Sequence, residues 1–123
     1  GYVDLNNVFL HGVSRGGMQA FLAVKKGIPV NAVAVVGALT DLTAAGKERP
    51  GVAERVWGKL IPGYGEKTEE VLRERSAVYF ADKISVPVLI LHGGADWRSN
   101  VGSQSLPLAE KLQALGKIYE LHI

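Results

Sequence analysis

The sequence predicts an α/β fold in which about four parallel strands form one sheet and the connecting helices lie mainly on one face. Three short apolar runs, at residues 8–10, 32–36 and 88–91, have the length and composition of strands buried in a parallel sheet. Helical patterns separate these runs. Repeated strand–helix–strand order is typical of a parallel sheet, so the order of the elements predicts the fold class.

The boundaries of two helices and of a last strand can also be placed. A helix over residues 18–26 closes at Gly27, because glycine readily adopts the left-handed conformation that ends helices. A second helix over residues 105–115 stops at Gly116. Its apolar face repeats at helical spacing and comprises Leu108, Leu112 and Leu115. A more alternating run at residues 118–123 predicts the fourth strand.

The segment 41–83 is irregular, and its proline and glycine pairs break it into two shorter helices. The first helix is predicted to bury Val52, Val56 and Leu60. The second is predicted to begin with Thr68 as its N-cap. A long excursion at this place commonly shapes a substrate pocket. Trp57 and Tyr64 are candidates to line such a pocket, although core packing is the more usual role for an aromatic residue.

Composition excludes several classes of protein. The chain has 123 residues, of which 47% are hydrophobic and 21% charged, so it is one globular domain or a piece of one. The net charge of +2 is scattered and argues against nucleic acid as a partner. The absence of cysteine excludes disulfides and Cys-ligated metal, and it fits a cytoplasmic location. No run is long enough for a membrane span, and no signal peptide is visible.

The predicted topology leaves one face of the sheet without cover. If the strands pair in sequence order, right-handed crossovers put every connecting helix on the same face. We expect the other face to be lined by apolar residues of the set Val8, Leu10, Val33, Val35, Val88 and Ile90, depending on register. Parallel sheets are normally covered on both faces. We therefore expect either a homo-oligomer or the remainder of a longer chain to cover this face.

Residues 12–17 carry the strongest chemical signal. A strand leads into the sequence Gly-Val-Ser-Arg-Gly-Gly and a helix follows it. G-x-S-x-G in this setting is the nucleophile elbow of α/β-hydrolases, which predicts a partial α/β-hydrolase with Ser14 at the tip of a sharp turn. We expect Gly12 and Gly16 to be crowded positions without room for a Cβ. The backbone N–H of Arg15, at a helix N-terminus, can stabilise an oxyanion.

A second stretch, residues 75–98, contains a strand that ends in His92-Gly93 and is followed closely by Asp96. Together with the elbow, this stretch resembles the prolyl oligopeptidase family of serine peptidases. The segment before the elbow strand and the pair Gln104-Ser105 are similar as well. The resemblance covers nearly the whole chain, and it implies that residues 1–123 are the C-terminal portion of an α/β-hydrolase catalytic domain, a single and incomplete domain.

Carried over residue by residue, the resemblance implies that Ser14 is the acylated nucleophile and that Asp96 orients the catalytic histidine. Asp41, just after the second strand, is the rival acid, because some α/β-hydrolases take their acid from that position. The order of the triad in this fold is Ser, acid, His. The histidine and the second oxyanion donor are therefore expected outside residues 1–123.

None of the three histidines in the chain fits the role of general base. His11 lies on the strand before the elbow and His122 on the last strand. His92 ends the strand before Asp96 and corresponds to a structural His-Gly pair in the family. No histidine follows Asp96 on a loop that could return to Ser14.

These observations predict a serine hydrolase of the peptidase type that needs no cofactor and no metal and acts on a peptide or ester. A carboxylesterase with the same machinery is the first alternative, since fold does not fix substrate. The second is a truncated or self-associating fragment without activity, because loss of a triad member costs several orders of magnitude in rate. A flavodoxin-like binding domain is a more distant alternative. It needs a phosphate-cradling loop after the first strand, and Arg15 is a poor substitute for one.

Overall fold

The structure is a computed structural model that describes residues 1–123, and it contains one four-stranded sheet. All neighbouring strands are parallel, and they pair in sequence order. The strands are β1 (Phe9–Val13), β2 (Ala32–Val36), β3 (Val88–Leu91) and β4 (Tyr119–His122). The α/β fold class predicted from the sequence is therefore confirmed.

Helices fill the connections between the strands. The α-helices are α1 (Arg15–Lys25), α2 (Leu42–Glu48), α3 (Pro50–Val52), α4 (Gly58–Leu60), α5 (Thr68–Glu74) and α6 (Ser105–Ala114). A π-helical segment, Ala53–Trp57, joins α3 to α4, and 3₁₀ turns occupy Ala77–Tyr79 and Ala81–Lys83. No helix has the length and apolar character needed to span a membrane.

The main hydrophobic core lies between one face of the sheet and helices α1 and α6. Phe21 of α1 and Leu108 and Leu112 of α6 are completely buried there. The strands contribute every second residue to this core, because successive side chains of a strand point to opposite faces. The fully buried strand residues are Val33, Val35 and Ile90.

The other face of the sheet is open, as predicted, but its residues are not the expected ones. Leu10, Val33, Val35, Val88 and Ile90 pack in or against the main core, on the helix side. The open face carries the alternate residues Phe9, His11, Val13, Ala32, Ala34, Val36, Leu89 and Leu91. Because side chains alternate along a strand, the sequence shows which residues share a face of the sheet. The apolar runs do not show which of the two faces the helices cover.

Both helix ends predicted at glycines are confirmed. Gly27 and Gly116 follow α1 and α6 with φ of 81° and 66°, the left-handed region that favours glycine. Helix α1 begins at Arg15, three residues earlier than predicted, because the turn at Ser14 passes directly into the helix. Leu115 was expected in the core, but it lies past the end of α6 and is exposed.

The excursion between β2 and β3 forms a second, smaller core, in which the predicted helix face is displaced by one residue. Val56 and Leu60 are exposed, whereas Ala53, Trp57 and Ile61 are buried with Leu42 of α2. Burial of the large indole of Trp57 sets this face, and the π-helical segment changes the residue spacing of the helix.

The start of α5 also differs by one residue from the prediction. Thr68 was expected as the N-cap, but it is the first helical residue and Lys67 is the N-cap. The Thr68 hydroxyl instead accepts a hydrogen bond from Gly65 N–H at 2.8 Å, in the turn that precedes the helix.

A buried glutamine joins α6 to the loop after β2. Gln104 is completely buried, and its Oε1 accepts hydrogen bonds from the N–H groups of Thr40 and Asp41, each at 2.8 Å. Its Nε2 donates to the Asp41 carbonyl at 3.0 Å, and the Thr40 hydroxyl donates to the Gln104 carbonyl at 2.7 Å. These bonds hold the loop after β2 against the start of α6.

We predict that Gln104→Leu lowers the free energy of unfolding by about 2–4 kcal/mol, because it leaves buried N–H and carbonyl groups of the loop unpaired. Gln113→Leu is the control: Gln113 lies exposed on α6 and accepts one bond, from Tyr119. It should change the free energy of unfolding by no more than about 0.5 kcal/mol. Chemical denaturation measures both, and equal effects would contradict the bridging role of Gln104.

Candidate active site

Three loops meet at the edge of the sheet where the parallel strands end. Ser14 follows β1, Gly37 follows β2, and the loop that contains Asp96 follows β3. The carboxyl ends of parallel strands lie at the same edge, which is where open α/β sheets place their ligand sites. The topology thus brings the two sequence-predicted catalytic residues to one edge, on strands separated by β2.

The backbone of Ser14 is strained. Its φ is 52° and its ψ is −116°, and it is the only non-glycine residue with positive φ. Hydrogen bonds hold this conformation: Ser14 N–H donates to the Val36 carbonyl at 2.8 Å, and the Ser14 carbonyl accepts from Leu39 N–H at 3.2 Å and Gly17 N–H at 3.0 Å. The residue is exposed, so its hydroxyl lies at the surface of the sheet edge.

The glycines around Ser14 differ from the expectation. A Cβ on Gly12 would lie 2.3 Å from the carbonyl oxygen of Gly16, so this position admits no side chain. A Cβ on Gly16 would meet nothing within 4 Å, and its predicted crowding is therefore wrong. The crowded neighbour is Gly17, where a Cβ would lie 2.5 Å from that of Ala38. The turn brings the backbone of residue 16, and not its side-chain position, against Gly12.

The backbone N–H of Arg15 has no acceptor within the chain. It is the first N–H of α1, and the first N–H groups of a helix lack intrahelical partners. A free N–H directly after an exposed serine, at the positive end of a helix dipole, can bind a negatively charged oxygen.

The carboxylate of Asp96 is held by its own loop, with one oxygen left free. Oδ1 accepts hydrogen bonds from the N–H groups of Arg98 at 2.9 Å and Ser99 at 3.1 Å. Oδ2 accepts no hydrogen bond, and the carboxylate is partly exposed. A Cβ on Gly37 would lie 3.1 Å from Oδ2, which places this oxygen above the end of β2.

The pKa of Asp96 is lowered from its usual value. The hydrogen bond from Ser99 N–H is the main cause, the bond from Arg98 N–H adds to it, and partial burial opposes both. The carboxylate is therefore ionised at neutral pH, which an acid that orients an imidazole requires.

His92 is buried, and both of its ring nitrogens are occupied. Nε2 donates to the Ser99 carbonyl and Nδ1 contacts the Ser105 hydroxyl, each at 2.6 Å. Nε2 lies 3.8 Å from Asp96 Oδ2, which is too long for a hydrogen bond. His92 therefore fastens the loop that carries Asp96 to the start of α6.

The other two histidines lie away from Ser14. His11 is on the open face of the sheet, three residues before Ser14. His122 is on β4, three strands from β1, which is about 14 Å between the backbones. Its Nε2 contacts Glu120 at 3.0 Å. Neither histidine makes the hydrogen bond to the Ser14 hydroxyl that a general base needs.

Asp41, the rival acid, has a structural role in this arrangement. Its Oδ1 accepts a hydrogen bond from Ala44 N–H at 3.0 Å and so caps α2. Sequence reasoning did not assign roles to Gly37, which follows β2, or to Gln104, the N-cap of α6, and both support the site. The pair Gln104-Ser105 was a feature of the family resemblance, but the sequence alone does not show what its side chains bond.

Comparison with known proteins shows a family relationship over the whole chain. The model of the prolyl oligopeptidase family matches residues 1–123. A protein of Bacillus subtilis (strain 168) described as the uncharacterized peptidase YtmA is 32% identical over 120 residues. That match covers 96% of this chain and 46% of the relative, so the chain spans about half the length of the curated relative.

Solved structures share the fold. The acylaminoacyl peptidase of Pyrococcus horikoshii superposes with a TM-score of 0.83 at 20% identity, over 98% of this chain and 19% of that protein. Acetyl xylan esterase 1 from Thermoanaerobacterium sp. JW/SL YS485 superposes with a TM-score of 0.66 at 18% identity, over 97% of this chain and 39% of the esterase. The architecture is thus that of the α/β-hydrolases.

We predict opposite effects for alanine at the two elbow glycines. Gly12→Ala should lower the free energy of unfolding by about 3 kcal/mol, because the new Cβ overlaps the backbone of residue 16. Gly16→Ala should raise it by up to about 1 kcal/mol, since the site is open and alanine favours a helix. Denaturant unfolding tests the pair, and similar losses in both variants would contradict the geometry of the turn.

Asp96→Asn should destabilise the protein at pH 7, with an effect that fades in acid. A depressed folded-state pKa stabilises the fold above the unfolded value of about 3.9, and this contribution is lost as the pH falls through the folded pKa. The difference in unfolding free energy between wild type and Asp96→Asn should therefore shrink below about pH 4. If the difference in unfolding free energy between the two proteins stayed constant from pH 7 to pH 3, the hydrogen bonds to the Asp96 carboxylate would not stabilise the fold as described.

Proposed function

Because the chain belongs to the prolyl oligopeptidase family, we propose that the protein is a serine hydrolase of the peptidase type with Ser14 as its nucleophile. The observation that carries this proposal is the strained backbone of Ser14. This conformation places an exposed serine directly before a free N–H at a helix N-terminus. Strained residues persist where the surrounding structure holds them, and they cluster at active sites.

The reaction begins with attack of Ser14 Oγ on an acyl carbon. The hydroxyl proton passes to a histidine, and the Arg15 N–H stabilises the oxyanion of the tetrahedral intermediate. The intermediate collapses when the bond to the leaving amine breaks, and the histidine gives its proton to that amine. Water then attacks the acyl-enzyme in the same way, which releases the acid and restores Ser14.

The histidine of this mechanism comes from outside residues 1–123. The strands before Ser14 and Asp96 are separated by β2, so their backbones are two strand spacings apart, about 10 Å. An imidazole with a hydrogen bond at each nitrogen fits between two such side chains. Asp96 Oδ2 has no other hydrogen bond and is free to accept the Nδ1–H of that ring.

Ester hydrolysis is the second candidate function. The same elbow and acid serve peptidases and esterases, and an acetyl xylan esterase shares this architecture. We prefer peptide hydrolysis, because the family and the Bacillus subtilis relative are described as peptidases. Relative rates on an amide and an ester with the same acyl group discriminate between the two.

We predict that a fluorophosphonate probe forms one adduct with the full-length protein, on Ser14. Intact-mass spectrometry should show that Ser14→Ala abolishes the adduct and that Ser85→Ala, a change at an exposed serine outside the site, retains it. A polypeptide of residues 1–123, shown to be folded by circular dichroism, should remain unlabelled because it lacks the base.

Two results would contradict the proposal. A folded full-length protein that acquires no adduct would favour a non-catalytic module. An adduct on the folded 123-residue polypeptide would show that His11, His92 or His122 acts as the base.

A further inference from the structure

A small apolar cavity lies beside the elbow, between the start of α1 and the excursion after β2. Its volume is about 250 Å³. Its apolar walls are Met18, Leu39, Leu42, Trp57, Leu60 and Ile61. Pockets for whole small molecules are usually larger, from about 300 Å³ upward. The cavity therefore suits one side chain of a larger ligand.

The cavity begins at the backbone of the candidate nucleophile. Arg15, the next residue after Ser14, contributes to its lining, and so does Leu39, whose N–H donates to the Ser14 carbonyl at 3.2 Å. A group in the cavity would thus belong to the part of a substrate adjacent to the acyl carbon under attack.

Two arginines give the cavity its charge. Arg15 and Arg75 both line it, no Asp or Glu does, and the remaining polar lining residue is Gln19. Neither guanidinium has a carboxylate within 4.0 Å. Arg75 is half-buried, and one of its N–H groups donates to the Val71 carbonyl at 3.0 Å, which leaves the others available.

A half-buried cation without a counter-ion is costly, and a carboxylate is the ligand that matches a guanidinium in charge and geometry. Apolar walls with two arginine residues among them fit a side chain that has an apolar stem and a negatively charged end. By contrast, a cationic side chain would be repelled, and a purely aliphatic one would leave both arginines unpaired.

We infer that this cavity selects substrates with an acidic side chain, of the glutamate type, next to the bond that is cleaved. The inference rests on the proposed function for the statement that a bond is cleaved. The binding preference itself can be measured without turnover, so the two can fail separately.

The test compares two isosteric ligands, N-acetylglutamate N-methylamide and N-acetylglutamine N-methylamide. Binding to the full-length protein is followed by the shift of the Trp57 indole N–H signal, since Trp57 lines the cavity while the other tryptophan, Trp97, is exposed. The glutamate ligand should bind about tenfold or more tightly than the glutamine ligand, the effect expected of a charge-assisted hydrogen bond.

Arg75→Gln should reduce this preference severalfold, because only Arg15 remains, and Arg75→Lys, which keeps the charge, should retain more of it. The matched control is Arg73→Gln: Arg73 is an exposed residue of α5 that pairs with Glu69 and does not line the cavity. The control should keep the full preference. Equal affinities for the two ligands in wild type, or an unchanged preference in a folded Arg75→Gln protein, would overturn the inference.

Hydrolysis of the matching acyl-Glu and acyl-Gln anilides separates this inference from the proposed function. Hydrolysis of both anilides with equal kcat/KM would overturn the selectivity and leave the hydrolase intact. Selective binding at Trp57 without hydrolysis of either anilide would support the cavity and contradict the proposed function.

Discussion

The structure depends most on the backbone conformation of one residue, Ser14. Ser14 has positive φ between a strand and a helix, and bonds from Ser14 to Val36, Leu39 and Gly17 prevent its relaxation. These bonds connect the end of β1 to β2, to the loop after β2 and to the first turn of α1, so the turn that presents the serine also joins the sheet to its main helix. Only glycine at position 12 allows the backbone to approach so closely.

The parallel sheet converts this local turn into a site. Because all four strands run the same way, the loops after β1, β2 and β3 share one edge, and Asp96 reaches the end of β2 from the far side. Buried polar side chains keep these loops in place: His92 fastens the Asp96 loop, and Gln104 fastens the loop after β2. Ser14 and the Asp96 carboxylate are thus accessible to solvent, while the side chains that hold their loops are buried. This arrangement fixes the positions of the two loops and leaves the site open.

Most of the fold could be predicted from the sequence, because strand length, apolar runs and glycine helix ends are local signals. The open face of the sheet was predicted, but its residues were not, since the side of the sheet that becomes the core depends on packing against helices α1 and α6. Crowding at Gly16 was predicted wrongly, because the motif does not show that the turn brings its backbone rather than its Cβ position against Gly12. The buried helix face around Trp57 was predicted wrongly, because it depends on contacts with distant segments. The roles of Ser14 and Asp96 remain predictions supported by their geometry.

The central claim is that the fold holds Ser14 in a strained conformation, and the stability of Ser14→Gly relative to Ser14→Ala tests it most directly. Glycine adopts positive φ without strain, whereas alanine shares the strain of serine, which is on the order of 1–3 kcal/mol. Denaturant unfolding should therefore show that Ser14→Gly is more stable than Ser14→Ala by about 1 kcal/mol or more. Without strain, glycine would be the less stable variant by about 0.5–1 kcal/mol, because it loses more chain entropy on folding. An alanine variant that is more stable by that amount would therefore show that residue 14 is not strained.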